Sequence, residues 1–296
     1  MWRTSTHDSR LATHDSYRER GVSLVEMIVV IVITGIIGAA VAVFIRRPVE
    51  GYVDAARRAE LTDIADTALR RITRDLRTAL PNSIRTTTSG NVRYIEYLQT
   101  SGGGRYRAEP DSGGGGNVLD FTTADTAFDV IGPLPTLTGS ESIVIYNLIS
   151  DSAVTTANAY AGDNRGTNAS GPGSTISFTA PAPGTPFPFR SSGKRFQVVQ
   201  YPVTYACDPL PGGTGELRRY WNYNIALAQP TPTPGSPPAG AGTQQTLLAT
   251  NVTDCSITYT TGGAGQRTGV VALILQIEQS GEKVRLFQQA HVNNVP

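Results

Sequence analysis

Hydrophobic and polar positions divide the chain into three unlike stretches. Residues 27–45 read MIVVIVITGIIGAAVAVFI, with no charge and only Thr34 conventionally polar. At about 1.5 Å per residue this helical run spans roughly 28 Å, close to the thickness of a bilayer core. It is apolar on every face, which sets it apart from the core helix of a soluble domain. Pro48 and Gly51 follow and are expected to kink or loosen the helix. Spacings of mostly three and four then resume through Val53, Leu61, Ile64, Ala65, Ala68, Leu69, Ile72, Leu76 and Leu80. The other face carries Arg57, Arg58, Asp63, Asp66, Arg70, Arg71, Arg74, Asp75 and Arg77. The pattern predicts an amphipathic helix with one buried stripe and one solvated, ion-paired face, ended by Pro81. The acids among the arginines argue against a nucleic-acid patch.

Beyond Pro81 the period changes to two. Arg93-Tyr94-Ile95-Glu96-Tyr97-Leu98 alternates as a strand with one wet face does. Strand candidates are residues 92–98, 118–122, 142–148, 175–178, 196–205, 217–222, 256–260, 270–276 and 284–288. Residues 101–116, with their SGGG and SGGGG strings, and the polar stretch 157–173 read as loops with little capacity to pack. Residues 229–243, QPTPTPGSPPAGAGT, read as an exposed polyproline-like excursion. The helix stripe needs a covering layer, which a β-sheet supplies. The expected fold class is α+β: a long N-terminal helix, transmembrane then amphipathic, packed on an antiparallel β-sheet head.

Composition narrows the function. The chain has 296 residues, enough for one large or two small domains, and a net charge of +1. That balance gives no bulk attraction for nucleic acid or an anionic surface. The 31 glycines and 19 prolines fall mostly in the last two-thirds, where they punctuate the strand candidates. No internal repeat is visible. The glycine strings lack a following Lys-Ser/Thr, so they do not form a phosphate-binding loop. Histidine occurs only at His7, His14 and His291, and lysine only at Lys194 and Lys283. A histidine-centred triad, a multi-histidine metal site or Ser–Lys chemistry is poorly supported, and no cofactor is expected. Trp221, Tyr220 and Tyr223 suit either a stacking platform for a carbohydrate or a packed core, with the core the stronger reading. The cysteines Cys207 and Cys255 could be two buried thiols or one disulfide, the latter requiring an oxidising compartment.

The first 21 residues, MWRTSTHDSRLATHDSYRERG, are polar with mixed charge, and the character of the chain changes abruptly after Gly21. A secretory signal would place its cleavage site after the apolar run, whereas here the break precedes it. Arg18 and Arg20 at one end and Arg46 and Arg47 at the other leave the orientation open by charge counting alone. Glu26 opens the apolar run. A carboxylate at helix-centre depth costs about 2.5–3.5 kcal/mol, and less near the interface. It can snorkel, or it can pair with a cation. Cleavage between Gly21 and Val22 would create that cation as a free amine on Val22.

The string Gly21-Val22-Ser23-Leu24-Val25-Glu26, followed by the apolar run, resembles the type III signal of type IV pilins and type II secretion pseudopilins. The resemblance implies cleavage after Gly21 by a prepilin peptidase and N-methylation of Val22, where the family usually has phenylalanine. It also implies an inter-subunit assembly role for Glu26, the fifth mature residue. The implied organisation is a cytoplasmic leader at 1–21, a transmembrane helix at 22–46, an amphipathic helix at 47–80 and a periplasmic β-rich head at 81–296. The protein would sit in a bacterial inner membrane, and in a pilus after assembly. A periplasmic head would favour the Cys207–Cys255 disulfide.

A second, looser resemblance covers most of the mature chain. The stretch RRPVEGYVDAARRAELTDIADTALRRITRDLRTALPNSIR, with YACDP, LRRYWNY, TDCSITY and LFQQAHVNNVP, is similar to minor pilins of the mannose-sensitive haemagglutinin (MSHA) pilus. Expected partners are the prepilin peptidase, other major and minor pilins (or pseudopilins), the inner-membrane assembly platform and the lipid bilayer, with no nucleic acid. Adhesion is a further role this resemblance allows. The alternative is the large minor pseudopilin J of type II secretion, which shares the helix and a β-rich head. A membrane-anchored periplasmic enzyme or a carbohydrate-binding protein is the reading from a different class.

Overall fold

The structure is a computed structural model that describes residues 21–171, 173–181, 184–261 and 267–296, the side chain of residue 47 excepted. All of the leader except Gly21, with His7, His14, Arg18 and Arg20, lies outside the described residues. Among the described residues, one long helix, α1 (Leu24–Leu76), is followed by eleven strands. Two compact units divide between Asp54 and Ala55.

The first unit is helical from Leu24 onward, and each of its described residues is exposed. The helix continues through Pro48 and Gly51. Pro48 has no N–H to donate to the carbonyl of Phe44, so the ladder lacks one bond there while helical order persists. Val53, placed on the buried stripe by its spacing, is 44% exposed within this unit.

The second unit begins on the amphipathic half of α1. Leu61, Ala65, Ala68, Leu69, Ile72 and Leu76 are each at most 3% exposed, at spacings that keep one face inward. They share a core with Ile95 and Tyr97, Val203 and Tyr205, and Leu273 and Leu275. Each fully buried leucine or isoleucine contributes about 1.5–3 kcal/mol by area. The helix stops at Leu76, short of Pro81. Three tight bonds close it, Arg77 N to Arg74 O, Thr78 N to Asp75 O and Ala79 N to Leu76 O. The backbone then turns to the sheet, where Leu80 N donates to Leu98 O and Thr100 N donates to Thr78 O. Sheet pairing thus captures the chain before the proline can end the helix.

The strands are β1 (Arg85–Ser89), β2 (Val92–Tyr106), β3 (Ala127–Ile131), β4 (Glu141–Val144), β5 (Arg165–Ser170) and β6 (Thr175–Thr179). Then follow β7 (Arg195–Asp208), β8 (Gly215–Trp221), β9 (Gln244–Thr261), β10 (Thr268–Gln279) and β11 (Glu282–Asn293). The strand pairings are all antiparallel. A main sheet runs β1-β2-β7-β8-β9-β10-β11. The pairings β2–β3, β3–β6, β6–β5, β5–β4, β4–β7 and β7–β2 close a second circuit, a six-stranded barrel sharing β2 and β7 with the main sheet. Phe128, Phe178, Phe187 and Phe196 fill it, with ring centroids 5.2–5.7 Å apart in the contacting pairs.

Three sequence expectations need correction. Residues 118–122 form no strand, because side chains take over the backbone. Asp120 accepts from the N–H and hydroxyl of Thr122, and Asp125 accepts from the N–H of Asp120. The glycine string at 101–104 is strand rather than loop, part of β2. A Cβ on Gly103 would stand 2.6 Å from the carbonyl oxygen of Phe196, so glycine permits the close approach of β2 to β7. Within the polar stretch 157–173, residues 157–164 pack inward and β5 follows. Ala157, Asn158, Ala159, Tyr160 and Asn164 are each at most 2% exposed. The Asp163 carboxylate accepts from the N–H groups of Ala157 and Asn158, and the Asn158 amide donates to the carbonyls of Asp151 and Val154. Polar side chains satisfy the buried backbone there, as water would satisfy a loop.

Residues 229–243 stay mostly exposed and irregular, but Pro232 is buried. It lies with Val92, Ala206 and Tyr220 along one narrow crevice of the sheet.

Candidate functional site

The N-terminal end of α1 gathers the residues to which the sequence assigned processing and assembly. Gly21, Val22 and Ser23 are exposed and non-helical, and the helix begins at Leu24. Ser23 is the N-cap. Its Oγ accepts from the backbone N–H of Glu26 at 3.2 Å, and its carbonyl accepts from Met27 N at 3.1 Å. Glu26 lies in the first turn, where the positive end of the helix dipole favours a carboxylate. Gly21, Val22 and Glu26 therefore sit within one short segment, with the carboxylate exposed. In the sequence Ser23 stands only as one letter of the processing signal. Its capping role was legible in the spacing Ser-x-x-Glu just before an apolar run.

Beyond Glu26 the helix exposes Ile28, Val32, Ile36, Val43 and Phe44 at 53–80%. It is long and apolar enough to cross a membrane, with a mean hydropathy of 3.0 over its most apolar window.

In the head, Cys207 of β7 and Cys255 of β9 form a disulfide, with Cα atoms 6.6 Å apart. Strand β8 separates β7 from β9 except at its start, where Gly215 lets the chains converge. A Cβ on Gly215 would strike the carbonyl oxygens of Val252 and Asp208.

Two polar clusters lie beneath the surface. In the first, the Asp75 carboxylate accepts from Tyr205 Oη at 2.7 Å, Arg219 Nε at 3.0 Å and Arg71 Nε at 3.4 Å. Its side chain is 12% exposed, so Asp75 does not belong to the solvated face where its spacing placed it. The Arg219 guanidinium also donates to Gln99 Oε1 and lies 4.5 Å from the Trp221 ring centroid. Burial pushes the neighbouring Tyr97 and Tyr205 phenols up, so both stay neutral.

In the second cluster, Glu96 is fully buried and accepts from Arg85 Nε at 2.7 Å and from Tyr223 Oη at 3.0 Å. Burial pushes the Glu96 carboxyl up to about 7, while Arg85 and Tyr223 pull the other way. Arg85 also donates to the carbonyls of Ala226 and Leu227 and stacks on Tyr160, tying the segment after β8 to the sheet. The charged groups of both clusters are held by partners within the chain, while the Tyr97 hydroxyl beside the first is buried without a hydrogen-bond partner.

The remaining candidates resolve individually. Tyr220 and Tyr223 are 0% and 5% exposed and form a small core with Tyr94 and Ala206, so they make no stacking platform. Trp221 is half-buried against the main core. His291 is exposed on β11. Lys194 pairs with Glu109, and Lys283 with Glu278. Among the described residues no group of histidine, cysteine, aspartate or glutamate is arranged to hold a metal ion.

Residues 16–42 match the family model described as the prokaryotic N-terminal methylation motif. No curated protein and no solved structure gives a significant match. The motif supports a type IV pilin-like protein, and the long apolar helix followed by a large antiparallel sheet agrees with a pilin-like α+β fold. Such a motif implies processing by prepilin peptidase and pilin assembly, and pilin-like proteins are generally non-enzymatic. The motif and the apolar helix together suggest a membrane-anchored pilin.

Proposed function

We propose that the chain is a minor pilin of the MSHA type, comparable to the pilus biogenesis protein MshO. In this reading a single-pass helix anchors it in the bacterial inner membrane, with the leader cytoplasmic and the head periplasmic. The observation that carries its pilin-like part is the methylation motif running into a capped, exposed apolar helix, while the MSHA part rests on the looser resemblance of the strings after that helix. Prepilin peptidase cuts between Gly21 and Val22 and methylates the new Val22 amine. That amine, ordinarily with a pKa near 8, is mostly protonated at neutral pH. In a low-dielectric bundle of helices each unpaired charge costs several kcal/mol. Glu26 of one subunit pairs with Val22 of a neighbour, which offsets part of that cost and sets the vertical register of the incoming subunit.

Two measurements test this. Intact mass of the membrane-extracted protein should give a mature terminus at Val22. A different terminus in cells with active prepilin peptidase rejects the processing step. Glu26→Gln should still insert and be cleaved, because the apolar run, Gly21 and the Ser23 cap remain, yet co-purify poorly with other pilins. Normal assembly of the processed variant shows that apolar helix contacts alone recruit it. A gene neighbourhood coding for a secretin-linked secretion system instead of a pilus would favour the pseudopilin J alternative.

A further inference from the structure

We propose that Ser23 is a positioning residue for processing: by capping α1 it holds the Gly21–Val22 peptide outside the helix, where a peptidase can engage it. The inference rests on the reading that cleavage falls after Gly21. Hydrolysis there adds water across the peptide bond. The hydroxyl goes to the Gly21 carbonyl carbon, the C–N bond breaks, and the proton goes to the Val22 nitrogen. The Gly21 carbonyl must therefore be open to attack and to polarisation by the enzyme. A carbonyl inside an α-helix is engaged by the N–H four residues on and shielded by the following turn.

The first carbonyl engaged by the helix is that of Ser23, which accepts from Met27 N. Two residues earlier, Gly21 and Val22 are non-helical and exposed. Three residue choices keep them so. Glycine is a poor helix residue, β-branched valine is a mediocre one, and serine is among the strongest N-caps. The Ser23 Oγ accepts from Glu26 N, an N–H in the first turn that has no intrahelical partner.

Removing the hydroxyl changes which residue is best placed to cap. In Ser23→Ala the flanking choices are Arg20, Gly21 and Val22, and of these glycine is the competent cap. A helix capped at Gly21 engages the scissile carbonyl itself, with Val25 N as donor. The helix start and the cleavage site then compete for the same oxygen.

The test uses the full-length precursor in lipid vesicles with prepilin peptidase, comparing wild type, Ser23→Ala, Ser23→Asn and Ser23→Asp. Wild type should be cut after Gly21. Ser23→Ala should lose roughly fivefold in kcat/KM, the equivalent of about 1 kcal/mol for a missing cap. Asparagine and aspartate cap as well as serine and should restore the rate, although neither carries a hydroxyl. Wild type cut elsewhere rejects the cleavage reading and this inference with it. A wild-type rate in Ser23→Ala rejects this inference alone. A rate in Ser23→Asn as low as in Ser23→Ala also overturns it, because the enzyme is then reading the serine hydroxyl directly.

Discussion

Asp75→Asn removes one negative charge from the cluster that fastens the end of α1 to the sheet. Its partner Arg219 has a side chain only 5% exposed and stays charged in the variant. Stranding one member of a buried ion pair costs about 3–5 kcal/mol. Two features reduce that figure here. Gln99 and the Trp221 ring still engage the guanidinium, and asparagine keeps an oxygen that Tyr205 can donate to. A loss of about 2–3 kcal/mol is expected, equivalent to a fall in Tm of roughly 4–12 °C for a unit of this size. The assay is built in. The tryptophans are Trp2 and Trp221, so in the proposed mature form, which begins at Val22, Trp221 beside the cluster is the sole fluorophore of its kind. Urea unfolding of detergent-purified mature protein, followed by Trp221 emission, gives the free energy for Asp75→Asn, Arg219→Gln and the double variant. If the charge pair is the cause, the double variant loses at least 1 kcal/mol less than the sum of the singles. Additivity within about 0.5 kcal/mol, or a single loss below that, refutes the reasoning.

Further tests probe other parts of the head. The Cys207–Cys255 bridge closes a separation of 48 residues, for which chain entropy gives an upper estimate of about 4 kcal/mol. Non-reducing peptide mapping should recover the linked pair, and Cys207→Ser with Cys255→Ser should lower the unfolding free energy towards that limit; two free thiols in the purified mature protein would contradict the bridge. Glu96, raised from its ordinary 4.5 to about 7, binds its proton more tightly folded than unfolded. Its contribution is therefore complete below about 4.5, disappears as pH rises through about 7, and amounts to roughly 3 kcal/mol at most. Between pH 5 and pH 8 the wild-type urea midpoint should fall relative to that of Glu96→Gln, and parallel profiles would show that Arg85 keeps the carboxylate ionised throughout.

What the sequence disclosed depended on how locally each feature is specified. The stripe from Leu61 to Leu76 was visible because helical burial repeats within a turn, and all of its members are buried except the half-buried Ile64. Asp75 was misplaced for the same reason. Its i−4 relation to Arg71 looks like any surface pair, and only Tyr205 and Arg219, more than a hundred residues away, turn it inward. The barrel was invisible because its closure lies in long-range pairings such as Ser142 with Val199, which leave no periodic trace. Strand β5, RGTNAS, lacks a strand-like composition, and a partner imposes its conformation. Gly166 has no side chain where the Phe178 ring lies against it. Ser23 carried a local signal in its spacing to Glu26, but the processing motif occupies the same letters and hides the cap.

The exposed half of α1 constrains function more tightly than any feature of the head. A helix apolar on every side cannot be satisfied by one sheet, because a sheet covers one face. The amphipathic half confirms the contrast, since it buries a stripe and leaves charge on the other side. Residues 27–45 therefore call for a solvent that is apolar all round, which lipid or a bundle of like helices can provide. Those two environments price Glu26 differently. At a membrane interface it can reach water, and a lone carboxylate is tolerable. Inside a bundle it cannot, and only a nearby cation offsets the cost. In the proposed processing the chain acquires such a cation by a cut after Gly21, two residues before the cap. In the proposed pathway, then, one hydrolysis makes the bundle accessible to a residue that had tied the precursor to the interface, and processing becomes a precondition for assembly.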